Sequence, residues 1–305
     1  MAAAPTSEPQ PERAIPSAAL VLIAAITLLW GLNWPAMKVV VGEISPWTFR
    51  AACVVISGGG LMLLAALGRE PIVPPRGFWL PLTGVALLSV TAWQMLSAFG
   101  LQHIEGGRGA IVSFTMPVWA AILGALFLGE RLDGRRVLAL SLGMAGIAVL
   151  VAPDLLDLSR SPLGPLLMTA AAISWAGGIV LLKSRRWPIG ILALTAWQLI
   201  LGGIPILLAW AVLEPSPDLS RLTWRGILCG LYAATVALIF CFAAHNKVVT
   251  MLPATAAAIS TLAIPVVGLL SSAVLLGEPA GWRELLALAL VLGGMGLVLL
   301  PRRRR

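Results

Sequence analysis

Ala125–Val151 reads ALFLGERLDGRRVLALSLGMAGIAVLV, and Ala273–Leu299 reads AVLLGEPAGWRELLALALVLGGMGLVL. Aligned without a gap, the two share 10 of 27 positions. Leu128-Gly129-Glu130 faces Leu276-Gly277-Glu278, Arg135 faces Arg283, and Gly146 faces Gly294. At the same spacing Pro117-Val118 matches Pro265-Val266. Two Leu/Ala-rich segments match by chance at several places, but a shared Gly-Glu, Arg and Pro at one offset reads as an internal repeat.

Composition says where such a repeat resides. Of 305 residues, 59% are hydrophobic and 11% are charged, against about 25% charged in a soluble domain. With a mean hydropathy of +0.95, the chain reads as an integral membrane protein. Its net charge of +8 comes from arginines between apolar runs and at Arg302–Arg305. This suits membrane topology and anionic lipid headgroups, and no nucleic-acid partner is expected. Cys53, Cys229 and Cys241 all fall inside apolar runs and predict neither a disulfide framework nor a metal site.

Residues 1–16 are rich in Pro, Ala and Glu and read as a disordered tail. Ten apolar runs follow, at 17–37, 46–67, 77–101, 107–128, 134–152, 162–183, 189–212, 223–245, 254–276 and 280–300. Each suits a bilayer crossing of about 20 residues. The organisation expected is a tail at 1–16, a five-helix unit at 17–152, an external linker at 153–161, a second five-helix unit at 162–300 and a basic tail at 301–305. With the N-terminus in the cytoplasm, 14 Lys and Arg residues fall inside and six outside, so both termini are expected to be cytoplasmic. The turn at Glu130 then lies inside and that at Glu278 outside. Five spans per unit is an odd number, so the units insert upside down relative to one another, a common build for secondary transporters. Trp30 precedes Lys38 by eight residues, as Trp175 precedes Lys183.

The tandem five-span units, the Leu-Gly-Glu turns, the Gly-rich fifth spans and Trp30-Gly31 ahead of a lysine resemble the drug/metabolite transporter superfamily. Within it they resemble the EamA-type ten-span permeases, most of all the bacterial YddG-type amino-acid exporters. The resemblance implies an all-α membrane protein, two inverted five-helix repeats around a central cavity. Spans 1, 3, 4, 6, 8 and 9 would surround that cavity, with 2, 5, 7 and 10 outside. It also implies a multi-pass location in a bacterial inner membrane and a small-molecule substrate.

On the cavity helices, Trp30, Trp93 and Trp175 have polar neighbours: Asn33, Gln94 with Ser97, and Ser174. A flat apolar ring beside amide groups suits a neutral amphipathic solute, although a deep tryptophan is more often core packing. In span eight, Tyr232 and Thr235 stand at helical spacing, with Ile239 and Phe242 extending the face. The expected substrate-binding set is therefore Trp30, Asn33, Trp93, Gln94, Ser97, Trp175, Tyr232 and Thr235. Pro117 and Pro265 lie within spans, where each frees a carbonyl and kinks the helix. A static kink and a gating hinge are both open readings. Gly129 and Gly277 suit helix C-termini, and Glu130 and Glu278 suit caps or pairs with Arg135 and Arg283.

No catalytic constellation, phosphate loop or His/Cys/Asp/Glu cluster is visible, so neither an enzyme nor a cofactor is expected. Arg50 stands near the outer end of span two, a helix the resemblance assigns to the periphery, which argues against a phosphate-bearing cargo. His103 and His245 end their spans and read as headgroup-level residues. No deep Asp or Glu is found in any span, and a charge at the bilayer midplane persists mainly for function. The function expected is thus export of small neutral metabolites, amino acids above all, by uncoupled alternating access. The alternative is a proton-coupled exporter of lipophilic drugs, or of a sugar or nucleotide sugar, on the same scaffold. The sequence is compatible with a monomer.

Overall fold

The computed structural model describes residues 17–69, 71–103, 113, 115–130, 132–155, 163–214, 216–252, 257, 261, 263–277 and 281–299. The two tails, most of the linker, Glu105, Ser260 and Glu278 lie outside them. The described residues are helical, with no strand among them. In chain order the helices are α1 (Ser17–Glu43), α2 (Pro46–Leu67), α3 (Trp79–Ala86), α4 (Trp93–His103), α5 (Met116–Leu128), α6 (Gly134–Leu155), α7 (Leu163–Lys183), α8 (Ile191–Leu213), α9 (Trp224–Tyr232), α10 (Phe242–Met251), α11 (Ile264–Leu276) and α12 (Trp282–Leu299). A π-helical segment, Leu87–Ala92, joins α3 to α4, and another, Ala233–Cys241, joins α9 to α10.

Six helical stretches among the described residues are long and apolar enough to cross a membrane: Ser17–Glu43, Pro46–Leu67, Arg76–Ser97, Leu166–Lys183, Ile191–Leu213 and Trp224–Met251. Helices α5 and α11 are apolar but have 13 residues each. At 1.5 Å per residue that is about 20 Å, short of a hydrocarbon core about 30 Å thick. The prolines explain where these two helices begin. Pro117 and Pro265 occupy the first turn of α5 and of α11, where the missing N–H has no intrahelical acceptor to lose. Each therefore stands in the first turn of its helix, and most of the residues that precede it in the same apolar run lie outside the described residues.

At their far ends α5 and α11 stop at Gly129 and Gly277, with φ of 65° and 72°. This is the left-handed conformation that a residue with a Cβ adopts only under strain. The Leu-Gly-Glu turn thus has a backbone cause in both units.

Helix pairing follows one pattern twice. Helix α6 packs on α12, and α2 on α8. Helix α1 packs on α11 as α7 packs on α5. Helix α1 also packs on α9, α10 and the second π segment, as α7 packs on α3, α4 and the first. Exchanging each helix for its counterpart in the other unit leaves this pattern unchanged. Small residues set the closest crossings, as expected where apolar association is weak. A Cβ on Gly294 of α12 would lie 2.7 Å from the Ala139 carbonyl oxygen of α6, and one on Gly31 of α1 would lie 2.4 Å from a Val267 methyl of α11.

Large apolar side chains face outward along the helices, among them Leu67 (71% exposed), Leu80 (84%) and Val274 (83%). Exposed apolar surface on this scale belongs against lipid. Trp224 and Trp282, 75% and 67% exposed at helix starts, stand where aromatic belts form.

Candidate functional site

A cavity of about 190 Å³ opens between the two units. Trp30 and Asn33 of α1, Trp93, Gln94 and Ser97 of α4, and Trp175 of α7 all line it. Six of the eight residues expected from sequence are thus brought together. The rings form one connected group around Trp175. Its centroid lies 5.2 Å from that of Trp93, 6.2 Å from Trp30 and 5.9 Å from Phe242. Such separations suit edge and tilted aromatic contacts.

Tyr232 and Thr235 are not part of this lining, and the π segment explains why. The residues of that stretch that do reach the cavity are Ala233, Ala237, Leu238 and Phe242, spaced at four to five rather than three to four. Bonds from i to i+5 widen the turn, so an α-helical period selects the wrong face, and only Phe242 of the expected stripe remains on it. The hydroxyls of Tyr232 and Thr235 are bonded elsewhere. Tyr232 Oη donates to the Leu29 carbonyl at 2.8 Å, and Thr235 Oγ1 to the Leu231 carbonyl of its own helix at 2.6 Å.

The π segments present carbonyls that side chains of the opposite unit take up. Trp30 Nε1 donates to the Ala237 carbonyl at 2.8 Å, and Ser174 Oγ to the Leu88 carbonyl at 2.7 Å. Thr91 Oγ1 in turn donates to the Gly202 carbonyl of α8 at 2.6 Å. Irregular backbone at membrane depth is tolerated where neighbouring groups satisfy it in this way. The first of these bonds holds the Trp30 ring beside the cavity.

Several polar atoms around the site are buried without a hydrogen-bond partner: Asn33 Oδ1, Gln94 Oε1, Trp175 Nε1 and His245 Nε2. A buried unpaired polar atom is costly, and three of these four belong to cavity-lining residues. His245 is 2% exposed and stands behind the cavity, with its ring 5.4 Å from Trp30 and 5.7 Å from Trp175. It is a core residue, which corrects the headgroup-level reading; the side chain of His103 lies outside the described residues.

Sequence reasoning misses the contribution of α2, since Phe49, Arg50 and Cys53 also line the cavity. The helix assigned to the periphery presents its first turns to the site. A signal for this exists in the chain: Phe49, Arg50 and Cys53 share one helical face, and Arg50 is a charge inside an apolar run. Trp34 and Met37 of α1 line it as well. Among the described residues, no group of His, Cys, Asp and Glu is arranged to hold a metal.

Comparison with known proteins identifies the scaffold. The EamA-like transporter family matches the chain twice, over residues 17–152 and 162–300. A probable amino-acid metabolite efflux pump of Escherichia coli is 27% identical over 283 residues, covering 90% of this chain and 92% of that protein. The uncharacterised transporter YvbV of Bacillus subtilis is 28% identical over 279 residues, covering 91% and 90%. One solved crystal structure superimposes with a TM-score of 0.77 at 20% identity, covering 92% of this chain and 96% of that one, and so shares the fold. With the family matched over both units and the apolar helices that a multi-pass membrane protein needs, this chain belongs to the EamA-like transporter family.

Proposed function

We infer that this protein exports small neutral metabolites, chiefly amino acids with aromatic and other uncharged side chains, across the bacterial inner membrane by alternating access. The observation that carries this reading is the cavity itself: three tryptophans and unpartnered amide groups, enclosed where the two units meet. The rings offer apolar plates to a side chain. Asn33 Oδ1 and Gln94 Oε1 accept from an ammonium. The efflux pump from Escherichia coli, named for amino-acid metabolites, points the same way.

The architecture proposed is ten spans in two inverted five-helix repeats, 17–152 and 162–300, with both termini cytoplasmic. The double family match and the self-mapping helix pairing support it. Pro117 and Pro265, each at the start of its helix, are the proposed hinges. Inversion has a direct test. Single cysteines placed beside Asp133 and beside Gly281, in a background without native cysteines, are expected to react with an impermeant thiol reagent from opposite sides of the membrane. Labelling of both from one side would end the inverted arrangement.

Transport is tested with purified protein in liposomes. Preloaded phenylalanine, leucine or a similar neutral amino acid should drive counterflow of its labelled form well above protein-free vesicles. No counterflow with any neutral amino acid would sink the substrate reading. Coupling is tested in the same vesicles. The second reading, a proton-coupled exporter of another solute class, is favoured by one group, the buried and unpartnered His245 behind Trp30 and Trp175. The expected result is that an imposed pH gradient moves no substrate uphill, because the described cavity lining holds no carboxylate. Proton-driven accumulation that disappears in His245→Ala would establish the second reading instead.

A further inference from the structure

Arg50 is the one charged residue among the described residues that line the cavity. It is half-buried in the second turn of α2, one turn ahead of Cys53, which lines the cavity with it. The two acids near this end of the bundle are engaged elsewhere. Glu43 accepts from the Thr223 backbone N–H at 2.8 Å and from its hydroxyl at 2.7 Å, and Glu214 accepts from the Ser45 hydroxyl at 2.6 Å. Among the described residues Arg50 forms no ion pair. A cation at membrane depth without a counter-charge is expensive and marks a functional position.

We propose that Arg50 binds the carboxylate of the transported solute, and that the site selects an apolar or aromatic body carrying one carboxylate. The planar guanidinium matches a carboxylate with two parallel hydrogen bonds. The N-terminal end of α2, where Arg50 stands, adds favourable dipole charge. The body of the solute then points toward the rings. Met37 clusters with Phe49 and Cys53, and it follows Trp30 by seven residues, about 10 Å along α1. Arg50, on the α2 turn beside Met37, is therefore displaced from Trp30 along the helix axis by about the length of an aromatic amino acid. Asn33, one turn beyond Trp30 toward Arg50, carries the unpartnered acceptor that an α-ammonium needs.

This assignment rests on the transporter reading above but is tested separately from the choice of amino acids. The full-length protein in detergent is titrated with 3-phenylpropionate, with its carboxamide, and with phenylalanine and phenylalaninamide, and binding is read from the shift in Tm and by calorimetry. Wild type is expected to bind each acid at least ~10-fold more tightly than its amide, the range of a charge-assisted hydrogen bond. Arg50→Gln should reduce that preference to within about twofold, and Arg50→Lys should retain part of it. Equal binding of acid and amide by wild type overturns the proposal whatever the variants do. A preference that survives in Arg50→Gln overturns the assignment to this residue. Binding of 3-phenylpropionate through Arg50 with no binding of phenylalanine would leave the carboxylate site standing and remove the amino-acid reading instead.

Discussion

Trp175→Ala is expected to reduce transport at least 100-fold while the protein still inserts and folds. Trp175 is the ring on which the site converges, touching Trp30, Trp93, Phe242 and His245 at centroid separations between 5.2 and 6.2 Å. Truncating a large aromatic side chain in a packed site costs about 3–5 kcal/mol of local interaction. Here the ring faces a cavity, so much of that loss falls on the bound solute and on the placement of Trp30 and Trp93. One factor of ten per 1.4 kcal/mol makes a 100-fold loss about 2.8 kcal/mol, close to the lower end of that range. Trp30→Ala and Trp93→Ala should follow with smaller losses, Trp30 the larger of the two because its Nε1 also holds the Ala237 carbonyl. The control is Trp224→Ala. That ring is 75% exposed and should affect transport less than twofold. Trp79, another tryptophan at a span end, is a poorer control because its ring packs edge-on against Trp197 with centroids 4.8 Å apart. Counterflow rates normalised to inserted protein decide the matter: equal losses in Trp175→Ala and Trp224→Ala would show that the aromatic effect is folding and not binding.

Gly202→Ala is expected to destabilise the protein by about 1–3 kcal/mol, the range for overpacking a filled contact, and Gly202→Leu to prevent folding. A Cβ at Gly202 would lie 2.6 Å from the Ala86 carbonyl oxygen and 2.6 Å from Val90 Cβ. The first of these is backbone and cannot swing aside. The same residue accepts the Thr91 hydroxyl, so separating α8 from the first π segment also strands a buried polar pair. Gly178 of α7 crosses the segment from its other side, where an added Cβ would meet Ser89. Gly59→Ala is the matched control. Nothing lies within 4 Å of a Cβ there, and replacing a helical glycine by alanine is favourable by roughly 0.5–1 kcal/mol. Thermal unfolding in detergent should place Gly59→Ala at or above wild type and Gly202→Ala several degrees below. Coincident melting of Gly202→Ala and wild type would show that α8 and the π segment are not in contact.

Both experiments probe residues that differ in how far a linear chain reveals them. The apolar runs and their Lys/Arg flanks are local properties, and so is the Leu-Gly-Glu turn, since a left-handed C-terminal position selects glycine at 129 and 277 whatever surrounds it. Trp30, Trp93 and Trp175 are legible because each is a deep ring with a polar neighbour on its own helix, again a local signature. The residues that escape such a reading need geometry that no short stretch of sequence encodes. The face of the second π segment depends on a wider turn, and neighbouring helices decide whether that turn is tolerated, because Trp30 must reach across from the opposite unit to satisfy the Ala237 carbonyl. His245 sits near the end of an apolar run, yet only the packing of α10 against α1 and α7 buries it behind the cavity. Arg50 is the plainest case. Its position in the run is evident, but whether a charge near a helix end faces lipid headgroups or a binding cavity is set by how that helix is rotated against its neighbours. The sequence by itself determined the apolar runs, the repeat and the ring-bearing faces, because those follow from hydropathy and backbone chemistry along one helix. The rotation of α2 and the π register, and with them the charge and shape of the site, were decided only by the tertiary structure, in which all the helices have to share one interior.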